Sequence, residues 1–121
     1  GASRPVAEQA RGSRRWENLT MTMQPLRSVI LEKCPCPALY SQEAAGEAAV
    51  AHMRFVCPAL GWVWYATEYD HTDGTFFGLV FGACTELGYF SAEELAEGGV
   101  EVDLAFVPAP LSEIRTRHDD A

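Results

Sequence analysis

Apolar and polar residues alternate along two stretches of the chain, the pattern expected of strands with one buried face. Residues 50–57 (VAHMRFVC) put Ala51, Met53, Phe55 and Cys57 on one side and His52 and Arg54 on the other. Residues 62–69 (WVWYATEY) are rich in aromatic and β-favouring types, and 75–81 (TFFGLVF) read as the returning strand. Between them Asp70-His71-Thr72-Asp73-Gly74 has the composition of a turn, with Gly74 able to take the positive φ that such a hairpin needs. Residues 100–107 (VEVDLAFV) alternate strictly: Val100, Val102, Leu104 and Phe106 form an apolar side, and Glu101 and Asp103 face out. Pro108 and Pro110 close that strand.

Helical spacing is confined to short segments. Leu26, Val29 and Ile30 predict a short helix within 25–33, ended by Pro35 and Pro37. Residues 86–90 form a short strand leading into Ser91-Ala92-Glu93-Glu94, where Ser91 and Glu94 have capping-box spacing and Gly98-Gly99 stops the helix. Residues 111–118 allow a final helical turn or two. The predicted fold is α+β, an antiparallel sheet of four or five strands with short helices on one side. Residues 1–22 carry Arg14, Arg15 and a lone Trp16 but no apolar period, so they read as a flexible Arg-containing tail. A single α+β domain then spans 23–121.

Composition agrees with one domain. At 121 residues and 48% apolar, the chain buries a core without needing a staple. It has no run of eighteen apolar residues and no apolar block of the secretory type near its start. The expectation is therefore a cytoplasmic protein with no membrane contact. Charge sharpens the picture. Residues 1–40 hold six basic side chains against three acidic ones, a net +3, whereas 41–121 hold three against fourteen, a net −11. A body this acidic repels nucleic acid and attracts basic surfaces.

Enzymatic motifs are missing. His52, His71 and His118 fall on a strand, a turn and the C-terminal segment, and nothing in the spacing places Cys57 or Ser91 beside one of them. No phosphate loop, His-Glu-x-x-His or dinucleotide fingerprint occurs, and no cofactor is expected. Asp70, His71 and Asp73 share one turn and supply oxygen and imidazole donors, so they mark the alternative of a small metal-dependent enzyme or metal-binding protein. The same residues also suit a turn for backbone reasons alone. Cys34-Pro-Cys36 has one spacer residue fewer than a zinc knuckle, though with Cys57 and His52 it makes a second candidate set. The expected state of all four cysteines, Cys84 included, is reduced and unbridged. Aromatic residues crowd 62–77, but 55–107 contain no Arg or Lys of the kind that base-stacking surfaces use. Most of these rings are expected in the core, with Trp62 and Trp64 as a candidate anchor patch for a protein partner.

WVWYATEYD at 62–70, FFGLV at 76–80, ELGYFSAEEL at 86–95, EVDLAF at 101–106 and PLSEI at 110–114 occur in that order, preceded by PALYSQE at 37–43. This series resembles a small bacterial family catalogued as a domain of unknown function, number two-nine-five-eight, over about residues 37–115. Its members occur largely on plasmids, phages and integrated elements. The resemblance implies genomic company and no set activity. Mobile elements carry inhibitors of host defence, several of which present carboxylates where a nuclease expects phosphates. The expected function is thus a non-enzymatic acidic inhibitor, of anti-CRISPR or other anti-defence type. Its partner would be a protein with a basic surface, a CRISPR effector or a nuclease, with no direct contact to nucleic acid. The protein itself would be a monomer or weak dimer. The expected partner-binding residues are Glu68, Asp70, Asp73, Glu93, Glu94, Glu97, Glu101 and Asp103, with Trp62 and Trp64. A third possibility is a regulator that binds DNA through the Arg-rich tail.

Overall fold

The computed structural model describes residues 23–120, and the tail expected over 1–22 lies outside the described residues. Eight strands run in chain order: β1 Met23–Pro25, β2 Val50–Ala51, β3 Met53–Cys57, β4 Trp62–Asp70, β5 Thr75–Phe81, β6 Thr85–Ser91, β7 Glu101–Asp103 and β8 Ala109–Pro110. Two α-helices, α1 Ala92–Glu97 and α2 Leu111–Asp120, accompany 3-10 turns at Leu26–Ser28, Leu31–Lys33 and Glu43–Ala48. The main sheet has the order β1-β7-β3-β4-β5-β6, and each of its pairings is antiparallel. β2 and β8 form a separate two-stranded ribbon.

The mixed, antiparallel character matches expectation, but the strand count does not. The main sheet has six strands instead of four or five, the extra one being β1. Leu26 is buried because its amide donates to Val100 O at 2.9 Å, tying 23–26 to the sheet edge and leaving only 3-10 turns where a helix was expected.

The helices also fail to share one side. Ala92 and Leu95 of α1 pack with Leu26, Phe55, Trp64, Ala66, Phe76 and Val102. Leu111 and Ile114 of α2 pack with Leu79 and Phe81, which alternate with Phe76 along β5 and so occupy the opposite face. Both faces of the centre of the sheet carry apolar residues, so each needs a cover.

Two predicted strands are shorter than their alternation suggests. The 50–57 stretch breaks at His52: Ala51 pairs with Ala109 in the ribbon, while Met53, Phe55 and Cys57 face the main core. The 100–107 stretch ends at Asp103, whose carboxylate accepts from Ala105 N at 3.0 Å and whose carbonyl accepts from Phe106 N at 3.2 Å. The chain turns there and leaves Leu104 57% exposed.

Candidate acidic interface

The β4–β5 hairpin ends in a turn built from its own residues. Asp70 Oδ1 accepts from Thr72 N at 2.8 Å and Asp70 O from Gly74 N at 2.9 Å, with Gly74 at φ 73°. The start of α1 docks against this turn: Ala92 N donates to Gly74 O at 2.8 Å, and Thr75 pairs with Ser91. Ser91 Oγ caps α1 by accepting from Glu94 N at 3.2 Å. Gly98 N and Gly99 N close its far end on Glu94 O and Ala96 O.

Two acidic segments far apart in sequence are therefore joined. Asp70 and Asp73 lie on the turn, while Glu93, Glu94 and Glu97 stand exposed on the adjoining short helix. Three ion pairs occur among the described residues: Arg54 with Asp103, Arg115 with Glu47 and Arg117 with Glu113. None of them involves the turn or α1. Tyr69 lies just before the turn. Its phenol lies above its ordinary range first through burial, then through Cys34 and the nearby carboxylates, Asp70 among them.

Several expected contact residues lie elsewhere. Glu68 is not displayed: it is 4% exposed, and its oxygens accept from Tyr40 N at 2.7 Å and Gln42 N at 2.8 Å. Simple alternation from Trp62 puts Glu68 on the Trp64–Ala66 face, but the register shifts between Ala66 and Glu68. The bulged residue, Thr67, reverses the phase, so Tyr69 takes the main-core side and Glu68 turns to the other. Asp103 is held by Arg54 at 2.9 Å, and Glu101 is half-buried opposite Val56 and Pro25. Trp64 is 8% exposed and belongs to the core; Trp62 is half-buried, with its ring over Gly82 and 5.9 Å from Trp64. The Trp62–Trp64 patch is therefore not an open anchor.

Among the described residues the exposed Phe, Tyr and Trp rings are Tyr40 and Tyr89, whose hydroxyls meet at 3.3 Å beside exposed Leu87. The sequence signal was the alternation of Leu87 and Tyr89 with Phe90 along β6, which faces these two away from the main core.

The metal alternative loses its geometry. Asp70 Oδ1 is engaged by Thr72 N, the His71 ring packs edge-on against Tyr69 at 4.8 Å, and among the described residues no three His, Cys, Asp or Glu side chains gather as a ligand set. The same holds for Cys34, Cys36, Cys57 and His52 as a zinc site. All four cysteines are unbridged. No described helix is long and apolar enough to cross a membrane. Comparison with family models, curated proteins and solved structures finds no match to this chain.

Proposed function

We propose that this protein is a non-enzymatic acidic inhibitor, of anti-CRISPR or other anti-defence type. It would act by presenting its hairpin-end carboxylates to the basic nucleic-acid channel of a nuclease or CRISPR effector. The observation that carries this reading is the joining of Asp70 and Asp73 to Glu93, Glu94 and Glu97 through the Ala92 N to Gly74 O bond. The backbone elements that carry them fix one another, so these carboxylates are held at one end of the molecule. Among the described residues the basic side chain that reaches α1 is Arg27, donating to Ala96 O at 3.2 Å. The −11 balance over residues 41–121 gives the same sign at longer range. The resemblance to a mobile-element family supplies the biological setting.

The contact set differs from the one the sequence suggested. Glu68 and Asp103 serve the fold, and Asp70 and Glu101 are half-buried, so binding rests on the exposed Asp73, Glu93, Glu94 and Glu97. The test is capture of a purified CRISPR effector ribonucleoprotein or restriction nuclease by immobilised protein, with duplex DNA as competitor. Binding should weaken as salt rises and be displaced by DNA. The variant Asp73→Lys, Glu93→Lys, Glu97→Lys should lose binding at least a hundredfold while keeping its circular dichroism spectrum. If that variant folds and binds like the parent, this face is not the interface, and the Tyr40–Leu87–Tyr89 surface takes its place.

A further inference from the structure

Three sulfur-bearing side chains gather where the segment before Pro37 packs on β3. Cys34 Sγ lies 3.4 Å from Met53 Sδ, and Cys36, two residues on, packs against Ala66, the β4 register partner of Met53. Cys36 points inward, with its sulfur 3.7 Å from Ala66 O. Pro35 cannot join a helix, and Cys34 is extended at φ −58° and ψ 128°, so the two cysteines stay on an open segment instead of winding apart around a turn. Cys36 and Met53 are buried, whereas Cys34 is half-buried. Cys34 and Met53 line a groove of about 620 Å³ with Val29, Ile30, Leu104 and Phe106. The cluster is thus enclosed by protein on one side and reachable from solvent on the other.

A buried methionine ordinarily fills space among hydrocarbon neighbours. Here its thioether faces the Cys34 thiol, and the Cys36 thiol sits on Ala66, which pairs with Met53 across the sheet. The donor set is all sulfur. With no carboxylate or imidazole completing it among the described residues, it lacks the four ligands of a structural zinc site. Two thiolates and a thioether instead suit a soft monovalent ion that accepts two or three sulfur donors. We propose that Cys34, Cys36 and Met53 form a Cu(I) site, with the two cysteines as thiolate ligands and Met53 as the third, weaker donor. Binding replaces both thiol protons: one Cu(I) enters, two protons leave, and no electron is transferred. The groove provides the entry path to Cys34. The site uses none of the acidic-interface residues and stands or falls independently of the inhibitor reading.

The experiment is anaerobic titration of the reduced, full-length protein with Cu(I) in competition with a colorimetric Cu(I) chelator. One Cu(I) per chain should bind, with the ultraviolet charge-transfer absorption of a copper–thiolate bond. Cys34→Ser and Cys36→Ser should each abolish that absorption, and Met53→Leu, which conserves volume, should weaken binding roughly tenfold. Cys84→Ser, remote and exposed, should change nothing. Because Cys36 is buried and its variant is at risk of misfolding, alkylation of the unaltered protein gives a second readout. Cu(I) should protect Cys34 from iodoacetamide while Cys84 stays reactive. Equal alkylation of Cys34 with and without Cu(I), or a folded Cys34→Ser variant that binds Cu(I) like the parent, would overturn the site. Tighter binding of Zn(II) than of Cu(I) would overturn the assignment of the metal.

Discussion

Glu68 shows how one side chain can be misjudged by its chemistry. A glutamate in an acidic body reads as surface charge, yet here both oxygens are used inside the protein. Tyr40 has φ 71°, a left-handed conformation rare for an aromatic residue, and this bend aims the Tyr40 and Gln42 amides at the carboxylate. The Gln42 side chain extends the same lock, accepting from Val50 N at 2.7 Å and donating to Val50 O and Thr67 O. Glu68→Ala would leave two amides without their acceptor. It should cost about 3 kcal/mol, from two hydrogen bonds to a charged group, and lower Tm by more than about 10 °C. Glu68→Gln keeps one acceptor oxygen and should recover about half of that loss. Denaturant unfolding at neutral pH measures both, and a loss below about 1 kcal/mol for Glu68→Ala would contradict the structural role.

At the scale of elements, the β4–β5 pairing depends on a glycine. Gly78 pairs with Ala66 beside the bulge, and a Cβ added there would fall 1.9 Å from Tyr65 O and 2.9 Å from Ala66 Cα. Both obstacles are backbone, so no rotamer change relieves them, and the strands would have to part. Gly88, directly across from Gly78 on β6, has nothing within 4 Å of the same added atom. Gly78→Ala should therefore cost at least about 3 kcal/mol, and Gly88→Ala should stay within about 0.5 kcal/mol of the parent. Thermal unfolding of the two single variants, side by side, decides it. Equal effects would mean that the β4–β5 spacing is looser than described.

For the whole molecule, the joined acidic segments have a consequence that needs no partner. Carboxylates at Asp70, Asp73, Glu93, Glu94 and Glu97 repel one another, and the three ion pairs found among the described residues lie elsewhere. Salt screens that repulsion over a Debye length of about 10 Å at 0.1 M. Raising sodium chloride from about 0.02 to about 0.5 M should lift Tm by roughly 3–5 °C, equivalent to about 0.5–1 kcal/mol. The Asp73→Lys, Glu93→Lys, Glu97→Lys variant should show less than half of that response. A parent Tm that falls with salt would mean that attractive pairs outweigh the repulsion.

Much of the fold was legible because its signals are local. The β4–β5 hairpin and its turn, the β6 strand, the Ser91 cap and the Gly98-Gly99 stop all follow from the alternation, turn and capping chemistry of adjacent residues. The acidic balance of the body is likewise a property of composition alone. Tertiary structure decided whatever depends on phase or on distant partners. One bulged residue after Ala66 exchanged Glu68 for Tyr69 in the core, and no alternation rule counts an extra residue. Arg54, 49 positions away, turned Asp103 from a free charge into half of an ion pair. β1 owes its place in the sheet to β7, about 78 residues downstream by register, and the cover on each face depends on which helix reaches it. The acidic end itself exists because Gly74 O meets Ala92 N, a contact between segments whose charges could be read separately but whose adjacency could not.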